Sequence, residues 1–418
     1  MADAHTNTVL EFVDWLAGDT GKTSSIPELF SEFNTFLNQH HYEIFRANFA
    51  SRSLHPQFGA VSLIWSERND IPLPPAGSGI LERRQMAVGK GFVTLLRIQR
   101  VNIETQAFRD SPFFPVLTRG ETVRERIAAG AAEFRFPIIK DLAELGGTDY
   151  LAMPVHFKGQ IEGFFSFATR QGGGYSEKQL AELARMARLF SVALEARLRD
   201  DLLDTLLRLY LGEITGPQVL KGRIQRGDME SFESAVWFSD IRGFSALTSI
   251  STPQEIIELL NTYYETIIPV VRRYGGEVLK FLGDGLLVIF GGREGKERQA
   301  RYQSLLAANA AGKALQRLNE QRIAEEKIPL EHGIGLHYGR IEYGNIGSDE
   351  RLDFTAVGAA VNTASRVAAL CADLGQSVLI SGDLAQLLRV RLTPQGIKEL
   401  KGIPRPVAIF ALPPKLAI

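Results

Sequence analysis

Cysteine is nearly missing from this sequence: Cys371 is the single one in 418 residues. An intrachain disulfide is therefore excluded, and the usage fits a reducing cytoplasm, the expected location. Charge of either sign is not in excess, with 47 Lys and Arg against 48 Asp and Glu. A global basic footprint for nucleic acid or an anionic membrane surface is thus absent. No apolar run approaches the ~18 residues of a membrane span. The N-terminus carries Asp3, Glu11 and Asp14 where a signal peptide has a basic region and an apolar core, so none is expected. Glycine and proline, 39 and 18 residues, are ordinary, which removes collagenous and wholly disordered classes. What is present is a globular composition, 45 % apolar and 23 % charged. At about 150 residues per domain, two or three domains are expected.

Pattern divides the chain. Residues 1–25 read as a helix, with Val9, Leu10, Phe12, Val13 and Leu16 on one side, and a polar break. Residues 26–175 read as mixed α and β. Helical periodicity runs through Leu29, Phe33, Phe36 and Leu37 in the segment 27–54, a strand covers 60–65, and a hairpin covers 150–170 about Lys158-Gly159. Residues 176–212 read as one long helix that Ser176 caps. Leu180, Leu183, Ala187, Phe190, Leu194, Leu198, Leu202, Thr205, Leu206 and Leu209 recur at steps of three and four, as in a seam joining two parallel helices; a helix packed on its own domain is the alternative. From 230 the order is strand, helix, strand, strand, helix, strand, then shorter elements.

The chemistry lies in this last part. Asp240 closes an apolar strand, and Asp284 sits at the tip of a hairpin between two apolar strands. A buried carboxylate without a partner is costly and usually meets a cation. Two at adjacent strand ends suit two hard divalent ions, about 3.5–4 Å apart in two-metal sites, with phosphate oxygens completing their shells. Either Asp alone reads equally as a turn or cap residue; the two together point to metal. Gly243 and Phe244 open a turn before a short helix, where main-chain N–H groups can cradle a polyphosphate. Asn362 and Arg366, four residues apart on a helix, share a face. They suit a ribose and a phosphate that gains charge during reaction, the plain alternative being a capping Asn and a solvated Arg.

FSDIRGF, KFLGDG and DFTAVGAAVNTASR, in this order and spacing, resemble the class III nucleotidyl cyclase catalytic domain, over residues 225–413. The resemblance implies a head-to-tail dimer with sites at the interface. Asp240 and Asp284, with the Ile241 carbonyl, would bind two Mg²⁺ (or Mn²⁺). Lys280 and Thr355 stand where adenylate-type members read the purine with Lys and Asp or Thr; guanylate-type members carry Glu and Cys there. Asn362 would orient the ribose, Arg366 would stabilise the transition state, and Lys401 and Arg351 would touch phosphates. LKGIPRPVAIF (400–410) matches the family's C-terminal strand pair. Ala359 departs from the family, where many members have Asp, at a position that is not a ligand. A Lys donor beside a hydroxyl acceptor fits the adenine edge, and guanine inverts that pattern.

The expected fold class is therefore α+β. An N-terminal GAF-like sensor domain (26–175, a PAS-like fold being the alternative) leads into a signalling helix and transducer linker (176–229). A cyclase domain with a ferredoxin-like βαββαβ core (230–418) follows. The expected function is an adenylate cyclase that converts ATP to 3′,5′-cyclic AMP and pyrophosphate as a parallel homodimer, under an unknown small-molecule or protein input. The alternative is a catalytically silent, cyclase-like nucleotide-binding module. GDTGKT (18–23) lacks the first Gly and the preceding strand of a P-loop. GGEV (275–278) lacks the acidic residue and Phe of the diguanylate cyclase signature, and the seven His show no ligand spacing. His40 and His41 are expected on a helix.

Overall fold

The computed structural model describes residues 8–18, 25–53, 55–69, 79–99, 105–128, 133–157, 159–291 and 297–413. Most of GDTGKT, Leu54, Lys158 and residues 294–296 of the helix expected from 294 lie outside them. The chain forms two compact units, Met1–Leu206 and Leu207–Ile418.

The first unit contains α1 (Thr8–Ala17), α2 (Ile26–Gln39), β1 (Ile44–Arg52), β2 (Ala60–Ser66), β3 (Ile80–Val88), β4 (Gly91–Ile98), α3 (Gln106–Arg109), α4 (Phe113–Arg119), β5 (Val123–Arg126), α5 (Pro137–Glu144), β6 (Asp149–Phe157), β7 (Gln160–Thr169) and the start of α6 (Glu177–Leu211). The strands form one antiparallel sheet in the order β3-β4-β2-β1-β7-β6-β5. Ser25 starts α2, its N–H donating to Glu28 Oε2 at 2.8 Å, a capping box with Pro27 in the first turn. One sheet face buries Leu29, Phe33 and Leu37 of α2 with Leu183, Ala187, Phe190 and Leu194 of α6. The Phe33 and Phe190 rings stack at 4.1 Å. Truncating either ring to Ala would cost about 3–5 kcal/mol. The opposite face buries Phe45, Val116, Ile139, Leu142 and Phe164 beneath α4 and α5.

Several expectations change here. The helix of the segment 27–54 ends at Gln39, and 44–52 is a strand. Its residues 44–51 are all buried, so no period of two marked it as β. His40 caps the end of α2 and His41 follows with φ 62°; neither is helical. In α1, Val9 and Phe12 are buried, but Leu10 and Val13 are exposed. Leu183, Ala187, Phe190 and Leu194, expected in a dimer seam, are instead core residues of their own unit, packed with α2 on one face of the sheet.

The second unit holds the end of α6, then α7 (Thr215–Leu220), β8 (Met229–Ile241), α8 (Phe244–Ile250), α9 (Pro253–Arg273), β9 (Gly276–Leu282), β10 (Gly285–Gly291), α10 (Glu297–Ala324), β11 (His332–Gly347), β12 (Leu352–Val357), α11 (Ala359–Asp373), β13 (Val378–Ser381), α12 (Gly382–Ala385), β14 (Thr393–Lys398) and β15 (Val407–Ala411). The sheet order is β14-β15-β13-β11-β8-β10-β9, with β12 paired to β11. α9 and α10 cover one face with Tyr263, Ile267, Leu305 and Ala308 against Trp237, Val288 and Leu336. α11 lies on the other face with Ala360 and Ala364 against Val236 and Ile341. It crosses β11 so closely that a Cβ on Gly335 would stand 2.3 Å from the Ala368 nitrogen, and only glycine fits. In the expected strand pair of 400–410, only 407–411 is β. Residues 400–406, with two prolines, form the turn, and the partner strand is the upstream β14.

Candidate active site

β8 delivers Asp240 one residue before its end, opposite Gly333 of β11. A Cβ at 333 would stand 3.2 Å from Asp240 Oδ1, so the glycine leaves the carboxylate room. Asp284 sits in the tight turn between Leu282 and Gly285, which pair across β9 and β10. Gly283 supplies the left-handed conformation (φ 68°) that turn requires. Asp284 Oδ2 accepts the N–H of Ile241 at 3.2 Å, which sets the two carboxylates side by side. Burial, and then the charge of Asp284, hold the Asp240 carboxyl above the usual range, against the pull of Arg242. Two neighbouring carboxylates at the end of one strand and the tip of the next hairpin form an oxygen donor set that fits hard divalent cations. No cluster of three or more His, Cys, Asp or Glu capable of holding a metal occurs among the described residues. A cation here therefore needs oxygens from elsewhere, as a nucleotide supplies.

Two supports of this corner were not anticipated. The Tyr264 hydroxyl donates to the Gly283 carbonyl at 2.7 Å, and its ring meets Phe281 edge-on at 4.8 Å; burial first, then Asp284, push the phenol up to about 12. Arg242 Nη2 donates to the carbonyls of Cys371 (2.7 Å) and Gln376, which ties the turn after Asp240 to the end of α11. Gly243 (φ 67°) precedes α8 and is exposed, while Phe244 is half-buried against the core.

The second group begins with Lys280 of β9, whose ammonium is ion-paired with Asp353 of β12. Asp353 and Thr355 are two residues apart on one strand and share a face; Thr355 is buried and Asp353 exposed. Asp353 escaped the sequence reading although this period of two, counted back from Thr355, marks it. Gly358 (φ 137°) precedes α11, and Asn362 and Arg366 stand exposed one turn apart on it. Among the described residues neither of these two side chains is engaged in a hydrogen bond or ion pair. Arg351 lies in the exposed turn before β12 and Lys401 in the turn before β15. Among the described residues no hydrogen bond or ion pair joins either side chain to the two groups, or joins the groups to each other.

The family model for the adenylate and guanylate cyclase catalytic domain matches residues 228–413. Adenylate cyclase 1 of Rhizobium meliloti (strain 1021) is 29 % identical over 172 residues, 41 % of this chain and 26 % of that protein. The solved adenylyl cyclase CyaB from P. aeruginosa is 30 % identical, with 45 % of this chain and 96 % of that one covered and a TM-score of 0.41. The guanylyl cyclase Cya2 is 29 % identical, with 44 % and 92 % covered and a TM-score of 0.40. The chain spans less than half the length of the curated relatives it matches. Among the described residues no helix is long and apolar enough to cross a membrane.

Proposed function

Residues 228–413 belong to the adenylate and guanylate cyclase catalytic-domain family, and from that premise we propose that the chain is an adenylate cyclase. It would convert ATP to 3′,5′-cyclic AMP and pyrophosphate at sites shared between two copies of the chain. The observation that carries this reading is the hydrogen bond from Ile241 N–H to Asp284 Oδ2, which sets the second carboxylate beside the one on Asp240.

Asp240, Asp284 and the Ile241 carbonyl would hold two Mg²⁺ or Mn²⁺. Bound there, such ions activate the ribose 3′-oxygen and neutralise phosphate charge. Lys280 donates to a ring nitrogen of adenine, while Thr355 and Asp353 offer oxygens to its exocyclic amine. A guanine carbonyl would face those same oxygens, which favours ATP. Asn362 orients the ribose so that the 3′-oxygen is in line with the α-phosphorus. Arg366 meets the charge that develops as pyrophosphate leaves. Gly243 and Phe244 flank the polyphosphate, with Lys401 and Arg351 as its outer countercharges.

Each copy would supply Asp240 and Asp284 to one site and Lys280, Thr355, Asn362 and Arg366 to the other. Phe281 and Leu282, 57 % and 40 % exposed on the hairpin that carries both Lys280 and Asp284, support a second copy there. The antiparallel order β11-β8-β10-β9 supports a ferredoxin-like core. The packing of α2 and α6 on one sheet face supports a GAF-like input unit, and regulation of the cyclase by it is part of the reading.

The test is incubation of the purified chain with Mn²⁺ or Mg²⁺ and either ATP or GTP, with cyclic products resolved by chromatography. Cyclic AMP from ATP is expected. Cyclic GMP alone would overturn the purine assignment, and nucleotide binding without any cyclic product would leave the silent module.

A further inference from the structure

We propose that the first unit holds a binding site for a small organic monocarboxylate, anchored on the guanidinium of Arg46.

Arg46 lies in β1, near the middle of the seven-stranded sheet, and is 6 % exposed. Cross-strand register places it in one row with Ser66 of β2, Ala168 of β7 and Tyr150 of β6. This is the face beneath α4 and α5, among Phe45, Val116, Ile139 and Phe164. Its Nε has no hydrogen-bond partner, and among the described residues no ion pair or hydrogen bond reaches the rest of the group. Arg242 and Arg301 also have an unpartnered Nε, but each donates through another nitrogen, to Cys371 O and Tyr338 Oη. Of the three, Arg46 is the one with no hydrogen bond at any of its side-chain nitrogens among the described residues. Asp141 of α5 and Tyr150 attract it electrostatically without closing a pair, and burial outweighs both in holding its basicity down.

A second orphan stands beside it. The Tyr150 hydroxyl, 1 % exposed as a residue, lies close to Ser166 yet completes no hydrogen bond. In the next row Asn48 accepts from Ser62 at 2.8 Å, leaving its amide nitrogen as a further donor. A buried guanidinium without a counterion is expensive, and a fold retains one most readily where a ligand brings the missing charge. Here one cation and two neutral donors stand in adjacent rows of one sheet face. That balance suits one negative charge on a planar two-oxygen group, which matches the guanidinium fork. A phosphate dianion would leave a charge uncompensated near Asp141. The apolar walls would receive a hydrocarbon or aromatic body.

The test uses the whole chain, dialysed free of small anions, and follows melting and calorimetric binding with acetate, butyrate and benzoate. Inorganic phosphate is the comparison anion. At a hundredfold excess over its Kd, at least one carboxylate should raise the melting temperature by about 5 °C, and phosphate should not. Arg46→Met should weaken that binding at least tenfold while melting, without ligand, no lower than the wild type, since it removes an uncompensated charge. Tyr150→Phe, which deletes only the hydroxyl, should also weaken it and decides the matter if Arg46→Met does not fold. The proposal fails if no carboxylate shifts the wild type, if phosphate shifts it and carboxylates do not, or if the shift survives in both variants.

Discussion

Asp284→Asn separates a residue kept for binding charge from one kept for the fold. Asparagine retains an oxygen to accept the Ile241 N–H, now made at 3.2 Å, so the hairpin tip should hold its shape. What disappears is the like charge that, after burial, pushes the Asp240 carboxyl upward. Two unit charges 4 Å apart repel by about 4 kcal/mol at an effective dielectric of 20 and by about 1 kcal/mol in water. Both carboxylates are half-exposed, so a value near the lower figure, about 1 kcal/mol, is expected. In the presence of a chelator the variant should therefore melt higher than the wild type, by about 2–4 °C for a unit of this size. With Mn²⁺ the order should reverse, because the wild type gains binding energy that the variant largely lacks. Cyclase turnover should fall by at least about 10²-fold for want of a ligand. Differential scanning calorimetry with EDTA or Mn²⁺ measures both halves. A variant that melts several degrees lower in EDTA, or that keeps the full Mn²⁺ shift, would refute the reasoning.

Arg366→Ala should lower kcat by on the order of 10²–10³ with little change in melting, as removal of one donor to transition-state charge does; a loss below tenfold would count against its role. Mixing Asp284→Ala chains with Arg366→Ala chains should recover activity, since one site of the mixed dimer is intact; a dead mixture with heterodimers demonstrated would contradict the shared-site model. Glu277, buried at the start of β9, accepts the Ile214 N–H at 2.9 Å, and burial raises its carboxyl above the ordinary glutamate value. A folded-state value above the unfolded one adds stability that is lost as pH rises through it. Glu277→Gln, which keeps the acceptor, should melt at or above the wild type near neutral pH and should gain less on mild acidification. Calorimetry at the two pH values checks this, and a variant with the wild-type pH response would exclude Glu277 as its source.

The second unit was the more legible half for a physical reason. Its helices bury one stripe each, as α9 does with Leu259, Tyr263, Ile267 and Val271, so the 3.6-residue period survives in the sequence. Asp240 and Asp284 also stand out there, as carboxylates ending apolar strands. The first unit hides its strands. β1 is covered on both faces and carries no alternation, and β3 is mostly exposed or half-exposed, with a run of charged residues, so it reads as a loop. Asp353, Tyr264 and Arg242 act through partners 73, 19 and 129 residues away. No local pattern encodes such distances, whereas Lys280, Asn362 and Arg366 belong to contiguous motifs.

Both proposed ligand sites hold side-chain charge that costs folding energy until a ligand meets it. Elsewhere buried hydroxyls find partners within the fold, Ser62 in Asn48 and Ser234 in the Phe290 carbonyl. Asp240 and Asp284 instead set like charges together, and Arg46 is buried with no ion pair or hydrogen bond to its guanidinium among the described residues. Each would be relieved by a neutral replacement of similar shape, Asp284→Asn in one unit and Arg46→Met in the other, at no cost in packing. If both replacements stabilise the ligand-free chain and both abolish a ligand response, the destabilisation is local and functional in each unit. If Asp284→Asn stabilises and Arg46→Met does not, Arg46 is a core residue answered by Asp141 in solution, and the first unit takes its input elsewhere.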